Sequence, residues 1–513
     1  MMETVVEQLH HLEFLNQFWL SMFFLIPMVL VARAVVAGTR YSPILLIVVF
    51  GLAMGFTLTF TGVTDAGLTH FPMVGILSRT TIVALTAIFF VGGQELRRTF
   101  SKDTVPSDQS VIYCMDEVIF GTCRTHLVFI VRSFFLLLGI EGVTKLLLGT
   151  TPADAIGSYY PLIAYFGLVV SLILIDNRAV IENKQRYLRL GLYEMAGIVA
   201  VLVASYHITQ VVNPLIALPQ IFFAMIVASG LGMLLYRFHH GPTIRCLLFA
   251  GIPIILAANF MVGGSLISHA LSLSGVAPVL VYGFFGQLFW MFGGMALLML
   301  LAGTAAIRNL GPGMAGALSH AGLTGACTGG DFGEEAATRA PIMINIPFFG
   351  HIFVFSILAL SVDRDGLLIV PTAIMCTIGV ALTIWSFNTI RRAAGARRGE
   401  ISGLIMYSMG WQLTAVFGGL LLLTALPLDY LAMAKSAALS HFGLFAAVQE
   451  GMFGAEAAEM ISFIFAMPFL VHPLVFFVFG LAMERGGEMP RKPIYALALL
   501  GLAGVLYGLF ALA

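Results

Sequence analysis

Two matched sets of polar side chains in the second half of the chain have the types and spacing for ligand binding. Ser319-His320 and Ser440-His441 stand 121 residues apart, as do Glu335 and Glu456. A serine hydroxyl both donates and accepts hydrogen bonds, and a histidine changes charge near neutral pH, so it can relay protons. A carboxylate within a membrane can bind Na⁺ or carry a proton. These residues predict a substrate and ion site and no enzymatic catalysis, although a structural hydrogen-bonding role for the histidines stays open.

Further polar residues surround both sets, and we include them in the predicted site. Acidic side chains at Asp331 and Glu450 accompany the matched glutamates, and Asn345 has no counterpart because Ala466 occupies its place. Some of these acids could instead be residues that favour helix N-termini at the water interface. Four glycines are expected to let the backbone approach closely there: Gly330, Gly333, Gly451 and Gly454.

The matched sets belong to an internal repeat. Residues 317–366 align with residues 438–487 without a gap, and 21 of the 50 positions are identical. Upstream, Gln287-Leu288 matches Gln412-Leu413, and the Phe-Gly-Gly at 292–294 matches that at 417–419. Many of the identities are polar or glycine, which shared hydrophobicity does not explain. We therefore predict two copies of one unit, at 278–388 and 402–513.

Composition indicates the surroundings in which these copies lie. Of the 513 residues, 59% are hydrophobic and only 10% are charged, with no net charge. Apolar runs long enough to cross a bilayer recur along the chain, and we predict an all-α polytopic membrane protein with about 14 spans, among them 75–95, 367–388 and 492–512. The zero net charge gives no indication of nucleic acid as a partner.

Two segments, 313–333 and 430–454, are rich in glycine and alanine and contain polar residues. If both crossed the membrane, the loop 389–401, with its four arginines, would lie outside, against the positive-inside rule. If each is a re-entrant hairpin, that loop is cytoplasmic and the two copies are inverted. We predict the second arrangement, with short packing helices as the alternative reading of both segments.

The same rule orients the rest of the chain. Basic clusters through Arg308 fall after every second predicted span, which predicts an external N-terminal segment 1–16 and a first helical block at 17–277. Both termini are then external, in a bacterial inner membrane.

The first block contains a second, weaker echo. The segment FFVGGQEL at 89–96 is echoed by NFMVGGSL at 259–266, and each follows a span with proline and then glycine. The Pro–Gly–Gly span followed by FFVGGQEL resembles the second and third helices of the cation–proton antiporter and sodium–glutamate symporter superfamily. SHAGLTGACTGGDFGEEAA at 319–337 is similar to the hairpin of sodium–glutamate symporters. The resemblance implies secondary transport.

Repeats with re-entrant helices are the architecture of secondary transporters. We predict a transporter of a small organic anion, a carboxylate or an amino acid, coupled to Na⁺ or H⁺, with Na⁺ as the only candidate cofactor. Expected partners are the substrate, the lipid bilayer and, as a homodimer, a second copy of the chain. The alternative is a membrane redox protein that holds haem or a metal through paired histidines such as His207 and His239.

Overall fold

Helices make up 89% of the residues that the computed structural model of this protein describes, and no strand occurs among them. The described residues are 25, 27–29, 31–36, 38–39, 41–62, 73–101, 146–147, 184–215, 218, 220–237, 244, 252–270, 277–302, 332, 342–343, 350–362, 367–393, 397–424 and 471–512.

Eleven long helices lie in this part of the chain, numbered here in chain order. In the first block they are α1 Pro43–Phe60, α2 Met73–Phe100, α3 Lys184–Val212, α4 Gln220–Leu234 and α5 Ile252–Ala270. In the first copy α6 comprises Ala277–Leu288, a π-helical turn Phe289–Gly293 and Gly294–Ala302, and is followed by α7 His351–Val362 and α8 Ile369–Ala393. The second copy contains α9 Arg397–Leu423, α10 His472–Glu484 and α11 Arg491–Leu512.

Five of these helices are long and apolar enough to cross a membrane. They are α1, α6, α8, α9 and α11, within which the qualifying stretches have 18 to 25 residues. The prediction of an all-helical chain with membrane-spanning helices is confirmed to that extent, while the number of spans stays a prediction. Helix α1 shows how the sequence begins such a span: the Ser42 hydroxyl accepts a hydrogen bond from the Ile44 amide, and Pro43 follows as the first helical residue.

The first block is built from two helix pairs with matching contacts, α1 with α5 and α2 with α4. A Cβ atom added at Gly55 in α1 would overlap the Met261 carbonyl group and the Ser265 amide nitrogen. A Cβ atom added at Gly232 in α4 would overlap the Phe90 carbonyl group and approach the amide nitrogen of Gln94 to 3.2 Å. Phe90 and Met261 each lie two residues before a Gly-Gly pair of the echoed segments. Gln94 and Ser265 each lie directly after it.

The converse contacts match as well. Gly264 in α5 packs against the Leu52 carbonyl group of α1, and Gly93 in α2 packs against the Ser229 carbonyl group of α4. Leu52 precedes Gly55 by three residues, and Ser229 precedes Gly232 by three residues. The helices α1 and α2 form one echoed pair, and α4 and α5 form the other. The first helix of each pair therefore packs on the second helix of the other pair, through backbone contacts that only glycine permits.

In the two copies at 278–388 and 402–513, helices of one copy also pack on helices of the other. Helix α6 packs on α11, and α8 packs on α9. Gly379 of α8 would bring a Cβ to 2.6 Å from the Thr414 amide nitrogen of α9. Gly501 of α11 would bring one to 2.5 Å from the Phe289 amide nitrogen of α6. Residues 289 and 414 are equivalent by the repeat, so the third helix of each copy packs on the first helix of the other.

Helix α10 connects the second copy to the first block. The Tyr41 ring, just before α1, stacks on Phe477 with ring centroids 6.0 Å apart. Desolvation raises the pKa of the Tyr41 phenol, and the nearby Glu484 carboxylate adds to the rise. At the N-terminal end of α10, the buried His472 lies edge-on to Phe260 of α5, with 6.0 Å between ring centroids.

Candidate functional site

The predicted site residues lie outside the described residues. This holds for Ser319, His320, Asp331, Glu335, Asn345, Ser440, His441, Glu450 and Glu456, and for the four hairpin glycines. Both hairpins, 313–333 and 430–454, fall there too apart from Phe332, so their re-entrant form stays a prediction. Phe332 is buried and packs against Phe479 of α10, with ring centroids 5.3 Å apart. The helices that would flank the predicted site are described, and their contacts carry the structural evidence.

Helices α6 and α9 are joined by two equivalent tyrosines. The Tyr407 hydroxyl of α9 donates to the Gly294 carbonyl oxygen of α6, and the Tyr282 hydroxyl of α6 donates to the Gly419 carbonyl oxygen of α9 at 3.4 Å. Tyr282 and Tyr407 are 125 residues apart, as are Gly294 and Gly419 and as are the two Gln-Leu pairs. The tyrosine of each copy thus donates to the equivalent glycine of the other copy.

The direction of these contacts is also defined. From Tyr282 through Trp290 to Gly294 the numbering rises along α6, while the partners Gly419, Trp411 and Tyr407 fall along α9. The midpoint of the two contacts is Leu288 on α6 and Leu413 on α9, both buried. Gln287 and Gln412 precede these leucines and are also buried, with 3% and 2% of their surfaces exposed.

The two copies differ at the π-helical turn. Trp411 donates from its indole Nε1 to the Trp290 carbonyl oxygen at 2.7 Å, and its ring lies where a side chain on Gly294 would be. The position equivalent to Trp411 in α6 is Gly286, which presents no side chain to α9. A π turn disturbs the regular backbone hydrogen bonds and often occurs at functional sites. Trp411 and Tyr407 supply side-chain donors to carbonyl groups at this turn, and α9 continues as a regular helix through the equivalent residues 414–418.

The tyrosine pair allows a direct comparison of two chemically identical substitutions. We expect Tyr407→Phe to lower the free energy of unfolding by about 1–3 kcal/mol, because the buried Gly294 carbonyl group loses its side-chain donor. Tyr282→Phe is the matched control, and its longer hydrogen bond predicts a smaller loss. Unfolding in mixed detergent micelles measures the free energy of unfolding of both variants. Equal losses would show that the Tyr407 hydrogen bond stabilises the protein no more than the longer Tyr282 bond does.

A separate cavity lies in the first block between α2, α3 and α4. Its volume is about 280 Å³ and its lining among the described residues is almost wholly apolar, including Phe90, Val201 and Leu231. Gln94 at one end donates from Nε2 to the Leu235 carbonyl oxygen at 2.9 Å, and Glu194 accepts from the Ile244 amide at 3.2 Å. Both polar groups thus bond to the backbone, and the cavity offers a ligand an almost wholly apolar surface.

The histidine pair of the redox alternative is only partly described. His207 lies exposed on α3, with its ring edge-on to Tyr206 at 5.7 Å, and His239 lies outside the described residues. Within the described ranges no three His, Cys, Asp or Glu side chains group as a metal site would require. Haem or metal binding therefore remains a prediction that no contact in this part of the chain addresses.

Comparisons with family models, curated proteins and solved structures gave no match to this chain. The internal symmetry is therefore the main evidence on function. The sequence interpretation singled out the Gln-Leu and Phe-Gly-Gly matches but did not identify the tyrosine pair. The sequence does contain evidence for this pair, because Tyr282 and Tyr407 share the 125-residue spacing of the Gln-Leu match.

Proposed function

We propose that this protein is a secondary active transporter built from inverted repeats, which moves a small organic anion coupled to Na⁺ or H⁺. The observation that carries the proposal is the reciprocal pair of hydrogen bonds, Tyr282 to Gly419 and Tyr407 to Gly294. In a two-fold arrangement residue i of one unit contacts j of the other while j contacts i, and this pair has that form.

The direction of the helices decides between the two kinds of repeat. Equivalent helices run in the same direction when the two-fold axis lies along the membrane normal, and in opposite directions when it lies in the membrane plane. The contacts along α6 and α9 run in opposite directions, which supports an axis in the membrane plane. Arg391 adds to this, because its guanidinium donates to the Leu301 carbonyl oxygen and so brings the C-terminal ends of α8 and α6 together. One copy then contains an odd number of crossings, as the hairpin arrangement requires.

The first block supports the same reading through a separate set of contacts. Along α1 and α5 the paired residues rise together, from Gly51 with Ala257 to Gly55 with Ser265, so these helices run in the same direction. From Gly93 with Ser229 to Arg98 with Tyr236 the paired residues also rise together, which gives α2 and α4 a common direction. We predict α1 and α2 as consecutive spans, which run in opposite directions. Because α2 and α4 run in the same direction, α1 then also runs opposite to α4, its equivalent in the echoed segment.

Inverted repeats serve transport because the two halves can exchange conformations around a site near the bilayer midplane. The matched Ser-His pairs and glutamates supply the groups for an anionic substrate and a coupling cation there. The C-terminal end of α8, with Arg391 and Arg392, is then cytoplasmic and both termini are external, in an inner membrane. No enzymatic step is part of this proposal, and a homodimer is its expected assembly.

Ligand-dependent stability of the purified protein tests the proposal. A ligand that binds only the folded state raises the unfolding temperature by mass action. We expect at least one of succinate, L-glutamate and acetate to raise it, and to raise it further when NaCl replaces choline chloride or when the pH is lowered. No response to any carboxylate under either cation, together with a Soret band in the visible spectrum, would replace the transporter by the redox alternative.

A further inference from the structure

Gln287 and Gln412 are equivalent polar residues near the centre of the internal symmetry. Each lies one residue from the midpoint of the α6 and α9 contacts, and each is almost fully buried. Polar side chains buried on a membrane-spanning helix are uncommon and usually face a protein interior or a polar cavity. Their conservation of type between two copies that differ at most other positions makes a shared role the simplest explanation.

The direction of the Gln287 side chain follows from the packing of α6. Phe285 contacts Gly504 and Phe289 contacts Gly501, so this side of α6 faces α11. Gln287 is two residues from each phenylalanine, which is about 200° around a helix of 3.6 residues per turn. Its amide therefore lies on the side of α6 opposite to α11.

The same geometry holds for Gln412 on α9. Gly410 contacts Thr383, and Thr414 contacts Gly379, so this side of α9 faces α8. Gln412 is two residues from Gly410 and two from Thr414, and again lies on the opposite side of its helix.

Helices α8 and α11 are the outer helices of this arrangement. Large apolar side chains on their far sides are exposed, among them Trp385 at 60% on α8 and Phe510 at 81% on α11. In a bilayer such surfaces face lipid. Since α8 and α11 lie on the lipid side of α9 and α6, the two glutamines point towards the interior of the repeat.

We infer that Gln287 and Gln412 form a pair of amide donors that binds the carboxylate group of the substrate at the centre of the two copies. This inference rests on the proposed transport function and deepens it by assigning the anion contact. Each amide NH₂ offers two hydrogen-bond donors, and a carboxylate accepts from several donors at once. Neither Ala277–Ala302 nor residues 401–423 contains a lysine or arginine. Neutral donors avoid the large cost of a buried, unpaired cation when the site is empty.

Glutamate substitutions distinguish an anion site from a cation site. Gln287→Glu and Gln412→Glu keep the shape of the side chain but replace the donor NH₂ by a charged acceptor. We expect each to weaken the stabilising effect of the active carboxylate by roughly tenfold or more in apparent affinity, the loss of at least one hydrogen bond to a charged group. Stabilisation by NaCl alone should persist. Gln220→Glu in α4, whose amide bonds to the Leu202 carbonyl oxygen and the Ser205 hydroxyl, is the matched control and should keep the wild-type carboxylate response.

The outcomes separate this inference from the proposal beneath it. A wild-type protein that ignores every carboxylate refutes the proposed substrate class, and the inference with it. A normal wild-type response that survives both glutamate substitutions refutes the inference alone, as does a loss confined to the NaCl effect. Should a glutamate variant not fold, Gln287→Met and Gln412→Met remove the donors without adding charge. Retention of the carboxylate response in both methionine variants would equally overturn the assignment.

Discussion

Replacing both Glu335 and Glu456 by glutamine is expected to abolish the dependence of transport on the driving cation. The amide matches the carboxylate in shape but carries no charge, so it can neither neutralise Na⁺ nor carry a proton at neutral pH. Uptake into proteoliposomes, with and without an imposed Na⁺ or H⁺ gradient, measures the effect. We expect downhill exchange of substrate to continue while gradient-driven accumulation is lost.

Glu488→Gln is the control for this experiment. Glu488 is exposed in the turn between α10 and α11, where loss of its charge should leave accumulation unchanged. The two single variants, Glu335→Gln and Glu456→Gln, show whether one carboxylate or both couple the ion. Full gradient-driven accumulation in the double variant would show that neither carboxylate couples the ion and that both are acids at helix ends.

The glycine contacts of the first block predict the largest effect on stability. Gly55→Ala and Gly232→Ala each place a methyl group against a carbonyl group of the facing helix, so α1 and α5, or α2 and α4, must move apart. We expect each variant to lose about 1–3 kcal/mol or more in the free energy of unfolding, the range for overpacking a tight contact.

Two glycines in neighbouring helices supply matched controls. A Cβ atom at Gly230 in α4 or at Gly197 in α3 meets nothing within 4 Å. Gly230→Ala and Gly197→Ala should therefore be neutral, or stabilise by up to about 1 kcal/mol because alanine favours the helix. Unfolding in mixed micelles compares all four. Similar behaviour of Gly232→Ala and Gly230→Ala, two residues apart on one helix, would contradict the close helix approach.

Helix type and position were predictable from sequence because spans are set by the length of apolar runs. The predicted span at 492–512 compares with α11 at Arg491–Leu512, and 367–388 compares with α8 at Ile369–Ala393. Ends shift by several residues where polar flanks continue a helix: the span predicted at 75–95 is part of Met73–Phe100, which carries Arg97 and Arg98 in its last turn. Hydropathy marks the apolar core of a span, whereas backbone hydrogen bonding continues into the water interface.

The sequence did not predict which helices pack on each other. The echo of FFVGGQEL showed that two units exist, but not that α1 would pack on α5 and α2 on α4. Apolar helix faces do not specify partners in lipid, where association depends on small residues and close fit. The π turn at Phe289–Gly293 was equally hidden, since its side-chain contact comes from Trp411, more than 100 residues away. Of the candidate site, sequence identified the matched polar residues, and the structure adds the flanking helices that position the two glutamines.

The side of the membrane on which residues 365 and 488 lie tests the inverted repeat most directly. Residue 365 lies after α7 and residue 488 after α10, at corresponding places in the two copies. In a variant with its five native cysteines replaced, Asp365→Cys and Glu488→Cys are each exposed to a membrane-impermeant thiol reagent in sealed vesicles of known orientation. Inverted copies predict that Asp365→Cys reacts only from outside and Glu488→Cys only from the cytoplasmic side. Reaction of both cysteines from the same side would show parallel copies and contradict the account.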